Sequence, residues 1–382
     1  MSLHIAGMGW VTPLGSGVAP VWERLLRGEE ARVETISDSI SENKYPVFRV
    51  SPDALAGLPS HPRLRRASAI SRFAAAAGLA ALDDARSTRL RQGDGAAGNR
   101  KIDMKRTALV FAISNGGVIY TKRFYHDIVV SGADAASPLL FPETVFNAPA
   151  SHLAAILGIT GVSYTLVGDG AVGLLAIRMA EDLMTNRELD YCLVVGAEEA
   201  DWLLCDAYRR WRLLRSAPPI EPFHRPAKGM ILGEGAGAIL LGREGAVKID
   251  MTHPGEYYFG RQKASKSLQR IVTELAAPEI EIVVASANGT FIDEVERQVI
   301  GKVLPKASVY SVKPALGESV GASGPWQVIV AAQALRTGRL PPLLHASPDR
   351  VPGSPGSAVE SRRALVTSCG LNQQVAGIRL SI

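Results

Sequence analysis

Two glycine-rich segments carry the residue patterns best suited to chemistry. Gly168-Asp169-Gly170-Ala171-Val172-Gly173 follows an apolar run and opens a helical pattern. A loop so placed points backbone N–H groups at a substrate oxygen or a phosphate. It is not the G-x-G-x-x-G dinucleotide pattern in a first βαβ unit with an acidic residue at the right distance, nor a P-loop, since no Gly-Lys-Ser/Thr follows. Gly233-Glu234-Gly235-Ala236-Gly237 reads as a tight backbone crossing. The three cysteines, Cys192, Cys205 and Cys369, are too few for a disulfide framework or a four-cysteine zinc site. No His/Cys/Asp/Glu spacing matches a metal site, so neither metal nor cofactor is expected.

The elements that hold these segments alternate between strand and helix. His4–Val11 reads as a strand entering a Gly-Pro turn, Ser68–Ala85 as an alanine-rich helix, and Thr107–Ile113 as a strand ending in Ser114-Asn115-Gly116-Gly117. Leu174–Met184 reads as a helix and Tyr191–Val195 as a buried strand. The polar and aromatic stretch Thr252–Lys266 is assigned no element. The alternation predicts an α/β protein whose helices cover sheets.

An internal echo organises the chain. ALVFAISNGG (Ala108–Gly117) resembles EIVVASANGT (Glu281–Thr290). VSYTLVGDGAVGLLAIRMA resembles SVYSVKPALGESVGASGPWQVIVAAQAL, each a short strand, a glycine-rich loop and an alanine-rich helix. Two copies of one α/β unit, joined near Gly242–Val247, are the expected organisation.

The chain has 382 residues, 47% hydrophobic and 21% charged, a composition that excludes disorder. No apolar run is long enough to span a membrane, and no basic region precedes an apolar run at the N-terminus, so neither a membrane span nor a signal peptide is expected. A reducing cytoplasm is the expected compartment. The net charge is +5, with the densest basic groups at Arg63, Arg65 and Arg66 and at Arg209, Arg210, Arg212 and Arg215. These match no nucleic-acid motif, so nucleic acid is not an expected partner; they read as solvated helix faces, with an acidic docking patch as the sharper alternative.

Segments in a fixed order over the whole length resemble the β-ketoacyl synthases, the condensing enzymes of thiolase fold. They are AGMGWVTPLGSGVAPVWERLLRG, Phe146-Asn147 before a helix, YCLVVGAEEA, PFHRPAKGMILGEGAGAILL, SVKPALGESVGASG and ALRTGRLPP. The resemblance implies a thiolase-like fold of two duplicated α/β halves, residues 1–245 and 246–382, in a five-layered αβαβα architecture with a five-stranded sheet in each half.

The departures bear on the chemistry. The family uses a cysteine nucleophile and two histidines. In the matching registers this chain has Gly170 for the cysteine, Asn288 for the first histidine and Glu318 for the second, while the family lysine is kept as Lys313 and an acidic pair as Asp293 and Glu296. Glycine cannot hold an acyl chain as a thioester. Glu318 would bring negative charge to where an enolate develops, which opposes condensation. No catalytic residue is therefore expected; Lys313 is expected to neutralise Glu318, and Asp293 and Glu296 to order the preceding loop. The family's C-terminal gating loop matches Cys369, Gly370, Leu371 and Asn372, with most of its glycines gone. Cys369 as a displaced nucleophile is weighed against an inert buried cysteine, and the latter preferred. His126 and His152 read as surface or packing residues near the segments the family places at its subunit interface.

Among such proteins the resemblance is nearest to the chain-length factors, ketosynthase-like subunits that lack the nucleophile. It implies a heterodimer with an active ketosynthase, contact with acyl carrier protein through that ketosynthase, and iterative acyl-chain elongation in type II polyketide, polyene or fatty-acid-like biosynthesis. Known chain-length factors often carry glutamine at the cysteine position; here it is Gly170. The segment between Gly117 and Pro138 is short for the family, near its dimer cap and pocket wall. The family pairs subunits through the strand before the nucleophile turn, which makes Val162, Tyr164 and Leu166 the expected interface. The alternatives are a divergent enzyme, a decarboxylase or acyltransferase using Asp169, Asn288, Lys313 or Glu318, and an acyl-binding homodimer.

Overall fold

A computed structural model describes residues 3–37, 42–91, 102–347, 349, 351 and 361–382. Ten strands and seven helices carry the architecture. The first half contains β1 (Leu3–Thr12), α1 (Ala69–Arg91), β2 (Thr107–Ile113), α2 (Val118–Ser131), α3 (Ala148–Leu157), β3 (Ser163–Val167), α4 (Val172–Leu183), β4 (Tyr191–Glu198) and β5 (Gly235–Gly242). The second contains β6 (Val247–Thr252), α5 (Ala264–Leu275), β7 (Ile280–Val284), α6 (Phe291–Val303), β8 (Ser308–Tyr310), α7 (Val320–Thr337), β9 (Arg363–Cys369) and β10 (Gln374–Ser381). The stretch left unassigned from sequence holds a two-residue strand, Glu256–Tyr257, which pairs with β10 before α5 begins.

The two halves repeat one topology. In the first the order is β3-β2-β4-β5-β1, and in the second β8-β7-β9-β10-β6. In each half the first three strands are parallel and the last two antiparallel. The echoing strands β2 and β7 therefore occupy equivalent central places. All seven residues of β2 are buried, as its Val/Ile/Leu/Phe/Ala composition requires of a parallel strand covered on both faces.

Helices α4 and α7 lie between the two sets of strands. Helix α7 touches β2, β4 and β5 of one half and β7 and β9 of the other, while α1 covers the first half and α5 the second. This is the thiolase-like, five-layered arrangement. One feature differs from two separate stacked sheets: β1 pairs with β6 through Leu3↔Ile249, His4↔Lys248 and Ile5↔Val247, so the strands form one continuous ladder. Both partners are the last strands of their halves, and pairing them satisfies N–H and C=O groups that would otherwise form open edges.

The central helices approach closely because glycines face each other. A Cβ on Gly173 would fall 2.4 Å from Cδ of Pro325 and 3.0 Å from Cα of Gly324. This contact sets the position of α4, and hence of the turn that precedes it.

Candidate functional site

The turn 168–171 joins the edge strand β3 to α4. A Cβ at Gly170 would meet only the Cα of Gly370, at 3.5 Å, so there is room for one. The backbone of the turn is held in place: the Ser368 hydroxyl donates to the Gly170 carbonyl at 2.7 Å, and Asp169 N–H donates to Gln374 Oε1 at 3.1 Å.

The Asp169 carboxylate points towards the C-terminal hairpin. Its Oδ2 accepts from Asn372 N–H at 2.8 Å and its Oδ1 from Ala171 N–H at 3.3 Å. Burial raises its pKa to about 6, against the lowering effect of these N–H groups. Cys369, Gly370, Leu371 and Asn372 form the end of β9 and the turn into β10. That turn is closed by Gly370 N–H to Gln374 O at 2.7 Å and held from the other side by Tyr258, whose hydroxyl donates to Gly370 O at 2.7 Å. Cys369 is buried, its N–H donates to Ser286 Oγ at 2.9 Å, and burial pushes its thiol pKa far up. A thiol so placed is a poor nucleophile.

Asn288, Lys313 and Glu318 converge in the core, each no more than 2% exposed. Lys313 Nζ lies 2.6 Å from Glu318 Oε2. Asn288 Nδ2 donates to that same oxygen at 2.6 Å, and Ser323 Oγ donates to Oε1 at 2.8 Å. Asn288 Oδ1 in turn accepts from Thr290 N–H at 3.2 Å and Thr290 Oγ at 2.6 Å.

The acidic pair holds the same loop. Asp293 accepts from the N–H groups of Phe223, Asn288 and Gly289 at 2.8–2.9 Å. Burial outweighs these bonds and raises its pKa to about 7. Glu296 Oε1 accepts from Ser286 N–H, Ser286 Oγ and Thr367 Oγ. Gly170 thus offers only backbone, while Asn288, Lys313 and Glu318 are bonded to one another.

A cleft of about 400 Å3 opens beside the turn, lined among others by Asn115, Asp169, Tyr208, Trp211 and Gln374. Tyr208 and Trp211 were not legible as site residues; in sequence they belong to an arginine-rich amphipathic stretch. In space Arg209 and Arg210 both pair with Asp206 on the outer face, which leaves Tyr208 pointing inward. Glu198, buried at the end of β4, accepts from the N–H of the cleft-lining Ser114 at 2.9 Å. Its burial raises its pKa to about 8.

Of the residues expected at an interface, Val162, just before the edge strand β3, and Tyr164, on it, are 38% and 46% exposed. Leu166 lies on the same face of the strand as Tyr164, two residues on, but is partly buried and packs against the core. Helix α2 has no buried residue, and it exposes Tyr125, Val129 and Val130. His126 is exposed, and His152 Nε2 lies 2.6 Å from Oε1 of the buried Glu143. Among the described residues, no group of three or more His, Cys, Asp or Glu is arranged to hold a metal, and no helix is long and apolar enough to cross a membrane.

The chain is 26% identical over 364 residues to nodulation protein E of Rhizobium leguminosarum bv. trifolii, covering 88% of this chain and 87% of that one. Two solved structures share its fold over 100% of its length. One is the ishigamide ketosynthase/chain length factor, with TM-score 0.81, 20% identity and 98% of that chain covered. The other is a β-ketoacyl synthase from Burkholderia phymatum, with TM-score 0.83, 18% identity and 99% covered. Residues 2–246 match the N-terminal domain of β-ketoacyl synthases and residues 245–347 the C-terminal domain. Together with the duplicated topology, these matches make the chain a member of the β-ketoacyl synthase family.

Proposed function

We propose that this chain is a catalytically degenerate ketosynthase-like subunit of chain-length-factor type. It pairs with an active ketosynthase that supplies the cysteine and histidines, and with it acts in iterative acyl-chain elongation on acyl carrier protein, in a type II polyketide, polyene or fatty-acid-like pathway in the cytoplasm. Its two halves, residues 1–245 and 246–382, serve as scaffold and pocket wall.

The observation that carries this reading is the pairing of Glu318 with Lys313 and Asn288, next to a turn with no side chain at Gly170. A carboxylate stands where the family stabilises negative charge, and no nucleophile stands where the acyl chain would be held. The unpartnered apolar surface of β3 and α2 supports a partner subunit, since an exposed edge strand of this kind invites pairing. The ishigamide ketosynthase/chain length factor, which shares this fold, bears a name of the same kind.

Co-expression with intact ketosynthases, followed by affinity capture and an elongation assay, tests it. The tagged chain should retain one ketosynthase in equal amount, and product length should depend on the pair. A homodimer of this chain that condenses or decarboxylates malonyl thioesters by itself would overturn the reading.

A further inference from the structure

The geometry around Asn288 points to an intramolecular isopeptide bond: we propose that Lys313 Nζ and Asn288 Cγ become covalently joined, with Glu318 as the proton carrier and Thr290 as the oxyanion site. Nothing in this step depends on the function proposed above.

All the groups required are present and buried. Lys313 Nζ and Asn288 Nδ2 each lie 2.6 Å from Glu318 Oε2, so nucleophile and leaving group flank one carboxylate oxygen. The orientation of the Asn288 amide is set by its neighbours. Thr290 N–H can only donate, so it faces Oδ1, and an ionised carboxylate can only accept, so it faces Nδ2. Thr290 therefore places two donors on the carbonyl oxygen, its N–H and its hydroxyl at 2.6 Å, where negative charge would develop on attack. Ser323 Oγ holds the other Glu318 oxygen at 2.8 Å and keeps the carboxylate in place. The Asn288, Lys313 and Glu318 side chains are 0–2% exposed, so water competes poorly with the amine, and holding both nitrogens on one carboxylate oxygen makes the reaction effectively unimolecular.

The step balances without oxidant or co-reactant. Proton transfer within the ion pair leaves an uncharged Lys313 amine and a protonated Glu318. The amine attacks Cγ; the new C–N bond forms and the carbonyl electron pair moves to Oδ1, held by Thr290. Glu318 gives its proton to Nδ2 and takes one from the attacking nitrogen. The Cγ–Nδ2 bond then breaks, the carbonyl re-forms, and one ammonia leaves. Lysine and asparagine become a secondary amide, and Glu318 ends as a neutral acid.

The test is peptide mapping by mass spectrometry of the purified, denatured chain after trypsin digestion. We expect a branched peptide joining the segment that contains Asn288 to the one that contains Lys313, lighter by one ammonia than the two linear peptides together. In Lys313→Met and in Glu318→Gln the branched species should be lost and both segments recovered in linear form, with circular dichroism checking the fold. A succinimide at Asn288-Gly289 also loses ammonia, but joins nothing and survives Lys313→Met. Ammonia loss without a branched peptide, or wild-type protein yielding only linear peptides, overturns the proposal and needs no variant to fold. A branched peptide that persists in Glu318→Gln overturns the role given to Glu318.

Discussion

The Asp169 carboxylate rests against the Cα of Gly370: a Cβ at residue 370 would fall 2.1 Å from Oδ1 and 2.2 Å from Oδ2. The two residues are 201 positions apart, and the contact closes the 168–171 turn onto the C-terminal hairpin. It accounts for the one family glycine of this loop whose removal the packing would not allow.

Gly370→Ala should therefore force the carboxylate away from Asn372 N–H or push the hairpin outward. Overpacking of this kind costs about 1–3 kcal/mol. Urea denaturation should show the loss, and amide hydrogen exchange should rise at Asn372 before it rises in the central strands. Unchanged exchange at Asn372 would mean that the contact does not hold the hairpin.

Asp169 should also leave a mark on the pH dependence of stability. Burial raises its folded pKa to about 6 from 3.8. Between these values the folded chain keeps a proton that the unfolded chain has released, so this group's contribution to stability falls as pH rises from about 4 to 6 and is constant above. In Asp169→Asn that contribution disappears. The stability of the variant minus that of the wild type should therefore increase across this window, by on the order of 3 kcal/mol at most. Parallel denaturation curves from pH 4 to 7 measure it, and a flat difference would contradict the assigned ionisation.

The space at Gly170 makes a third expectation. With only a 3.5 Å contact to Gly370 Cα awaiting a side chain, Gly170→Ala should fold and change stability by less than about 1 kcal/mol. A loss of several kcal/mol would show that glycine is required there by the backbone rather than left by the loss of a nucleophile.

Native thiols should be unreactive. Cys192, Cys205 and Cys369 are buried and free, and burial raises the first two pKa values to about 12 and the third well above its ordinary value. Alkylation at pH 8 should label none of them until denaturant is added, and incubation with acyl carrier protein thioesters should leave the mass of the chain unchanged. An acyl adduct on Cys369 would restore it as a displaced nucleophile.

On the edge strand, Tyr164→Asp and Leu166→Asp should behave differently. Tyr164 is exposed, so its replacement should weaken association in sedimentation experiments while leaving the melting temperature near that of the wild type. Leu166 packs against the core, so a charge there should lower stability as well, by about 2–4 kcal/mol. Equal behaviour of the two would mean that the strand is not at an interface.

Much of the architecture was legible in the chain itself. Apolar runs such as Thr107–Ile113, the alanine-rich helices and the echo between the two halves are local patterns, and local periodicity decides which backbone hydrogen bonds each segment can make. The absence of a nucleophile at Gly170 is equally a property of the sequence, because no fold can supply a side chain that glycine lacks. What only the tertiary structure decided are the contacts between distant segments. Asn372 N–H reaches Asp169 across 203 positions, and Tyr208 meets the turn at Asp169 and the hairpin at Gln374 in one cleft. The pairing of β1 with β6 was likewise invisible, since two edge strands read alike whether they meet or not. Asn288, Lys313 and Glu318 could be matched to family positions one by one. That two nitrogens share one carboxylate oxygen, with Thr290 behind the carbonyl, follows from how α6 and α7 pack on their strands, and packing depends on shapes brought together only after the chain has folded.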